Sequence, residues 1–92
     1  MVAPNPSDEL CLSQLDIGQA GVVRGLRATG LIRRRLLDLG FCPGTVIDVV
    51  RSSPLGDPTC YRLKGAVVAL RRRDAADVLV DLHQGRPDRK SL

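Results

Sequence analysis

Frequent glycine and proline residues divide this sequence into short segments. Nine glycines and six prolines interrupt a chain of 92 residues, a larger share than in an average globular protein. Such punctuation favours many short elements joined by tight turns over a bundle of long helices. A chain of this length forms one domain and buries only about 60–65% of its unfolded surface, so we expect modest stability.

Runs of β-branched residues between the turn signals predict the secondary structure. One helix is expected after the first strand, and a short helical turn before the last. Five short strands with an interior of Val, Leu and Ala are typical of a small, partly open barrel. The predicted fold class is therefore mainly β. The five predicted strands are residues 21–26, 45–51, 59–63, 66–70 and 78–82.

The predicted helix has a clear apolar periodicity and a clear end. Ile32, Leu36 and Leu39 recur at i, i+4 and i+7, which predicts a stripe that faces the core. Gly40 then provides the left-handed residue that terminates many helices. Leu37 lies off this stripe, so it either packs under a neighbouring loop or is an exposed contact for a partner.

The two ends of the chain differ in composition from its middle. Residues 1–9 and 84–92 are rich in polar residues, proline and glycine and are predicted to be flexible extensions of a domain that spans residues 10–83. No apolar run approaches the roughly 20 residues that a membrane-spanning helix needs. The N-terminus has no secretory signal pattern, so we expect a cytoplasmic protein.

The cysteine count agrees with a reducing compartment. The three cysteines are an odd number without a C-x-x-C pair, which argues against a disulfide framework and against a structural zinc site of the usual spacing. We expect all three to be reduced thiols. They are Cys11, Cys42 and Cys60.

The charge balance is basic but does not by itself identify a ligand. Fourteen Lys and Arg against ten Asp and Glu give a formal net charge of +4, which permits binding to nucleic acid or to an anionic membrane surface. One tyrosine, one phenylalanine and no tryptophan weaken the case for single-stranded nucleic acid, since that ligand generally needs aromatic stacking platforms.

The sequence contains no recognisable catalytic or phosphate-binding motif, so no enzyme is predicted. Asp81 and His83 are two residues apart on the last predicted strand and are weak candidates for metal ligands, with Asp8, Glu9 and Cys11 as further donors. Imidazole and carboxylate suit Fe²⁺ or Zn²⁺. The competing interpretation, an exposed polar strand end, is favoured because a closed site needs four arranged ligands. No cofactor is required, and any divalent metal is expected to bind weakly or adventitiously.

One segment is much more specific than the composition. Residues 33–58 contain LLDLG, PG and PLGDP in that order, and residues 67–80 read VVALRRRDAADVLV. In this combination the sequence resembles the family of ferrous iron transport protein A, FeoA. The resemblance implies an SH3-like β-barrel with a helix inserted after the first strand. It also implies a small cytosolic accessory protein of bacterial ferrous iron uptake, which acts by contact on the GTP-dependent membrane iron transporter FeoB.

A contact protein needs an exposed apolar patch with a charged rim. Leu37 is the preferred anchor and Leu55, in the PLGDP loop, is the second; Phe41 is expected to pack against the helix instead. The candidate rim residues are Arg33, Arg34, Lys64, Arg71 and Arg72.

The expected partner is the cytosolic GTPase part of FeoB, with no nucleic acid and with the membrane reached only through that partner. A homo-oligomer is compatible with the sequence. The alternative function is a metal-sensing or nucleic-acid-associated domain related to the C-terminal domain of iron-dependent repressors. Only one full helix is predicted, so no helix-turn-helix is expected.

Overall fold

The structure is a computed structural model that describes residues 10–83. The predicted extensions, residues 1–9 and 84–92, lie outside the described residues. The described chain contains six strands, two α-helices and one 3₁₀ turn. In chain order they are β1 (Leu10–Cys11), the 3₁₀ turn (Leu12–Gln14), β2 (Ala20–Leu26), α1 (Gly30–Leu39), β3 (Val46–Ser52), β4 (Thr59–Leu63), β5 (Ala66–Leu70), α2 (Arg72–Ala75) and β6 (Val78–Leu82).

All six strands belong to one antiparallel sheet. Their order is β1-β6-β2-β3-β4-β5, so β1 and β5 are its two edges and do not pair with each other. The mainly β fold is confirmed, and all five predicted strands are present. The additional strand, β1, has two residues and pairs with β6 through Leu10 and Val80. As a result, α1 follows the first long strand, β2, rather than the first strand of the chain.

Two irregularities interrupt the ladders of the sheet. The register between β2 and β6 shifts between Val23 and Gly25, and that between β3 and β4 shifts between Val49 and Arg51. Bulges of this kind bend a strand and increase its twist. They give a small sheet the curvature of an open barrel.

The core lies within the curved sheet and is almost entirely aliphatic. Phe41, which follows the helix-terminating Gly40, is completely buried, as expected for a residue that packs under the helix end. Tyr61 and Leu63 of β4 are also buried in this cluster. The other fully buried large side chains are Leu12, Leu36, Ile47, Val78 and Val80.

The end of α1 was predicted correctly, but its buried stripe was not. Gly40 has φ of 112° and caps the helix, as the sequence indicates. Of the predicted stripe, only Leu36 is buried; Ile32 is 42% exposed and Leu39 is 36% exposed. The reason is that Phe41 and the strand residues already fill the interior of the sheet, so α1 is anchored in the core by one side chain.

Candidate functional site

The first component of the site is the exposed apolar surface of α1. Leu31 is 85% exposed in a helix of ten residues whose single buried residue is Leu36. Leu31 and Arg35 are four residues apart and Ile32 and Arg35 three apart, so both apolar side chains neighbour the same guanidinium on the helix surface. Isolated exposed leucines are common, but here two adjacent apolar residues lie on a helix with little other tertiary anchoring.

The second component is the PLGDP loop between β3 and β4. The Gly56 N–H donates to the Ser53 carbonyl at 2.8 Å and the Ser53 N–H donates to the Pro58 carbonyl at 3.0 Å. These bonds fold the loop on itself, and Gly56 adopts φ of 89°, a conformation that favours glycine. Leu55 is consequently 92% exposed on a loop whose backbone is held.

The third component is α2, which the loop holds in place. The backbone N–H of Arg72 donates to Asp57 Oδ1 at 2.7 Å. The residue that precedes α2, Arg71, makes no side-chain cap of its own. Asp57 therefore satisfies a donor in the first turn of α2 from the adjacent loop, which is the task that an N-cap side chain usually performs.

These three components meet at a cleft of about 510 Å³. Its charged groups are three arginines and two aspartates, and Ile32 of α1 supplies an apolar contact. Within residues 10–83 the only ion pair is Arg24 Nε–Asp81 Oδ1 at 3.6 Å, away from this cleft, so these guanidinium groups form no salt bridge with the aspartates beside them. The lining residues are Ile32, Arg35, Asp57, Arg71, Arg73 and Asp74.

The structure brings only part of the predicted contact set together. Arg71 lines the cleft, whereas Arg33 and Arg34 are exposed on α1 outside its lining. Leu55 is exposed, as a contact residue must be. Leu37 is half-buried, and its carbonyl accepts bonds from the Gly40 N–H at 3.0 Å and from the Cys42 thiol at 3.8 Å, so it belongs partly to the helix terminus.

Sequence reasoning missed four residues of this surface: Leu31, Ile32, Arg35 and Arg73. Ile32 was assigned to the core because its spacing fits a helical stripe. One signal was available, because α1 carries five apolar residues among ten, more than a single contact with the sheet needs. No local pattern shows that Arg35 and Arg73 approach the same cleft.

The metal candidates are not assembled into a metal centre. Asp81 pairs with Arg24, and the backbone N–H of His83 donates to the Ala20 carbonyl at 2.8 Å. Cys11 lies opposite Leu79 in the ladder between β1 and β6. No cluster of three or more His, Cys, Asp or Glu side chains occurs within the part of the chain that the structure describes. Asp8 and Glu9 lie outside the described residues.

A second cleft, of about 450 Å³, is lined by Gly56 of the PLGDP loop and by Tyr61 and Arg72. Burial raises the pKa of the Tyr61 hydroxyl above its ordinary value of 10.0, and the nearby charge of Asp57 adds to this. The polar side chain of Thr59 and the charge of Arg72 oppose the shift in pKa. Tyr61 is therefore neutral at physiological pH.

The three cysteines, Cys11, Cys42 and Cys60, are free thiols, each half-buried. Arg27 Nη2 lies 3.9 Å from Cys11 Sγ. No helix within residues 10–83 is long and apolar enough to cross a membrane.

Comparison with known proteins identifies relatives of this fold. The sequence profile of the FeoA domain family matches residues 10–82. The Fe(2+) transport protein A/Fe(2+) transporter FeoB fusion protein of Porphyromonas gingivalis is 42% identical over 71 residues. That match covers 77% of this chain and 8% of the fusion protein, so the chain spans a small part of that relative.

Solved structures agree with the sequence match. The solution structure of iron(II) transport protein A from Clostridium thermocellum has a TM-score of 0.76 and 32% identity, and the match covers 79% of this chain and 45% of that one. The crystal structure of Stenotrophomonas maltophilia FeoA, complexed with zinc and described as an SH3 domain protein, has a TM-score of 0.70 and 33% identity over 78% of this chain and 89% of that one.

The same fold occurs in a different functional class. A manganese-dependent transcriptional repressor in complex with manganese has a TM-score of 0.75 with 20% identity, and the match covers 87% of this chain and 39% of the repressor. At that identity the likeness shows a shared fold and carries no statement about metal sensing or DNA binding by this chain.

Proposed function

The chain belongs to the FeoA family, which is associated with ferrous iron transport, and on that premise we propose that it is an accessory protein of bacterial ferrous iron uptake. It acts by contact on the cytosolic GTPase part of the transporter FeoB and performs no catalysis itself. The fusion of a FeoA-like segment with FeoB in one Porphyromonas gingivalis chain supports this partner, since fused segments are held at high effective concentration.

The observation that carries the proposal is the exposure of apolar side chains on α1 next to cationic residues. Leu31 and Ile32 are exposed, and Arg35 lies on the same helix surface. A few apolar anchors surrounded by polar groups provide most of the energy of protein interfaces, and arginine is enriched there. We define the contact surface as Leu31, Ile32 and Leu55, with Arg33, Arg34, Arg35 and Arg71 as its charged rim.

Leu37 has a smaller role in this proposal than the sequence predicts. Its side chain is half-buried, so it contributes only its exposed part and mainly supports the end of α1. Because a change at Leu37 alters both folding and contact, it cannot test the interface cleanly. Leu31 can, since it is the most exposed of the large hydrophobic residues of α1.

The test is a pull-down of the cytosolic part of FeoB with this protein, with and without guanine nucleotide. Leu31→Asp places a charge in the contact surface and is expected to reduce recovery at least about tenfold, in line with the loss of an interface anchor. The matched control is Ile17→Asp, a change of the same type at a residue that is 60% exposed in the turn before β2.

Both variants must first show the same thermal melt as the wild-type protein. Equal recovery of the two variants would remove α1 from the interface. No recovery of the wild-type protein in any nucleotide state would contradict the proposed contact with FeoB.

A further inference from the structure

The sheet ends at β5, and the outer side of this strand has no partner strand among the described residues. β5 pairs with β4 alone, and their register is unbroken from Leu63 opposite Ala66 to Thr59 opposite Leu70. The bulges of the molecule lie in other ladders. The outer side of β5 is therefore a regular strand edge, which is a template for a further strand.

The turn geometry shows which backbone groups of β5 point outward. Lys64 and Gly65 have φ of 52° and 81° and form a two-residue hairpin turn with two left-handed residues. Such a turn makes the flanking residues a hydrogen-bonded pair, and these pairs alternate along an antiparallel ladder. Val67 and Ala69 therefore direct their N–H and C=O groups away from β4. We call these outward groups the β5 edge.

The side chains of β5 do not protect this edge. The strand reads AVVAL, without a charge, a proline or a bulge, which are the features that usually protect exposed edges. Val67 is 54% exposed and Ala69 is exposed as well. Val68, on the opposite face, packs against the core, so the strand is fixed in position and its outer groups are organised before binding.

We propose that the β5 edge binds an extended segment of another protein as an additional antiparallel strand, with an apolar centre and acidic residues on both sides. The charges at the ends of β5 give this preference. Lys64 precedes the strand, and Arg71 and Arg73 follow it, all three exposed. Asp57 and Asp74 line the same cleft as Arg71 and Arg73, but among residues 10–83 neither aspartate forms a salt bridge with these arginines.

The same charges disfavour pairing with a second copy of this chain. Two β5 strands paired antiparallel through Val67 and Ala69 would place Lys64 of each copy beside the arginines that follow β5 in the other copy. Like charges that face each other across strands are destabilising, and like-charge contacts suppress wrong partners at interfaces. An extended segment with acidic ends avoids this repulsion, because its carboxylates would face the cationic residues at both ends of β5.

The experiment uses the full chain and a fluorescein-labelled peptide of about ten residues with alternating Val and Thr in the centre and two Glu at each end. Fluorescence polarisation measures its affinity, and amide hydrogen exchange of the protein locates its site. Binding should slow exchange at Val67 and Ala69 specifically, because these amides gain acceptors. A control peptide that is N-methylated at alternate central residues has the same charges but lacks the N–H groups that would donate to the Val67 and Ala69 carbonyls.

Three variants separate the backbone contribution from the charge contribution. Val67→Pro removes an outward N–H that β4 does not use, and should weaken binding about five- to tenfold, as the loss of one hydrogen bond implies. Val67→Thr keeps the N–H and the side-chain shape and should bind like the wild type. Lys64→Asn suits the left-handed turn position and removes the charge, so it should weaken binding and reduce its salt dependence.

Equal binding of the methylated and unmethylated peptides to the wild-type chain would overturn the proposal, and so would unchanged exchange at Val67 and Ala69. The methylated peptide removes the complementary bonds of the same ladder, from peptide N–H groups to the Val67 and Ala69 carbonyls, and does so on an unaltered protein. Poor folding of Val67→Pro would therefore leave the test intact. If the chain forms a dimer and Val67→Pro abolishes that dimer, the β5 edge binds a second copy of the chain instead.

Discussion

Asp57 and Arg72 are joined by a hydrogen bond of 2.7 Å from the Arg72 backbone N–H to the Asp57 carboxylate. The bond connects the PLGDP loop with the first turn of α2, and both border the cleft that contains Arg35 and Arg71. The loop motif that made the sequence recognisable thus has a structural task in this protein. It satisfies the start of a helix of only four residues, which has no side-chain cap of its own.

Removing the Asp57 carboxylate should destabilise the protein. Asp57→Ala leaves the Arg72 N–H without its acceptor and should cost about 1 kcal/mol, the usual effect of losing a helix cap. Asp57→Asn keeps an acceptor oxygen and should retain most of that stability. Urea unfolding of both variants measures the difference. Equal loss in the two would show that the charge of Asp57, and not its hydrogen bond, stabilises α2.

Gly40 should tolerate substitution much less well than Gly25. Gly40 has φ of 112°, and an added Cβ would lie 3.0 Å from Leu63 Cδ1. Gly40→Ala therefore combines backbone strain with a close contact and should cost more than about 1 kcal/mol. Gly25→Ala meets nothing within 4 Å and has no left-handed φ, so its thermal melt should stay near that of the wild type. Similar melts for both variants would contradict the assigned helix end.

Three leucines of α1 should differ sharply in their response to the same change. Leu36 is 1% exposed, so Leu36→Asp buries a charge in the core and should unfold the domain. Leu37→Asp, at a half-buried site, should lower the melting temperature without unfolding the protein. Leu31→Asp should leave the melt within a few degrees of the wild type, since surface substitutions generally change stability by at most about 0.5 kcal/mol. Any other order of the melting temperatures of these three variants would show that α1 packs differently against the core.

Much of the fold was predictable because its signals are local. β-branched runs identified the five longer strands, and Gly40 identified the end of α1. β1 was missed because a strand of two residues exists only through its pairing with β6, which no local pattern reveals. The helical period of Ile32 and Leu39 correctly indicated a helix, but periodicity does not show how much of a helix face the rest of the core can cover.

The candidate site was less predictable for a related reason. Leu55 stood out because it is an apolar residue in a polar loop. The cleft, however, combines α1, the PLGDP loop and α2, and only tertiary structure brings Arg35 beside Arg71 and Arg73. Arg33 and Arg34 were chosen over Arg35 on sequence, although the helical rotation places Arg35 beside both Leu31 and Ile32.

The stability of the protein should fall at alkaline pH through the ionisation of Tyr61. Burial is the main reason that the pKa of Tyr61 in the folded state lies above the ordinary value of 10.0, which it regains on unfolding. The unfolded state therefore releases this proton at lower pH than the folded state. The contribution of the Tyr61 hydroxyl to the free energy of unfolding is constant below pH 10.0. It is lost as the pH rises towards the pKa of Tyr61 in the folded state.

Tyr61 is the only tyrosine in the chain, and there is no tryptophan, so tyrosinate absorbance reports its titration directly. We expect a titration midpoint above 10.0 in the folded protein and near it in urea. Tyr61→Phe is the matched variant. It has no ionisable hydroxyl, so its stability should decline less steeply above pH 10 than that of the wild type. Parallel alkaline declines for the two proteins would show that another group destabilises the fold, and that Tyr61 is solvated more than its burial in the core implies.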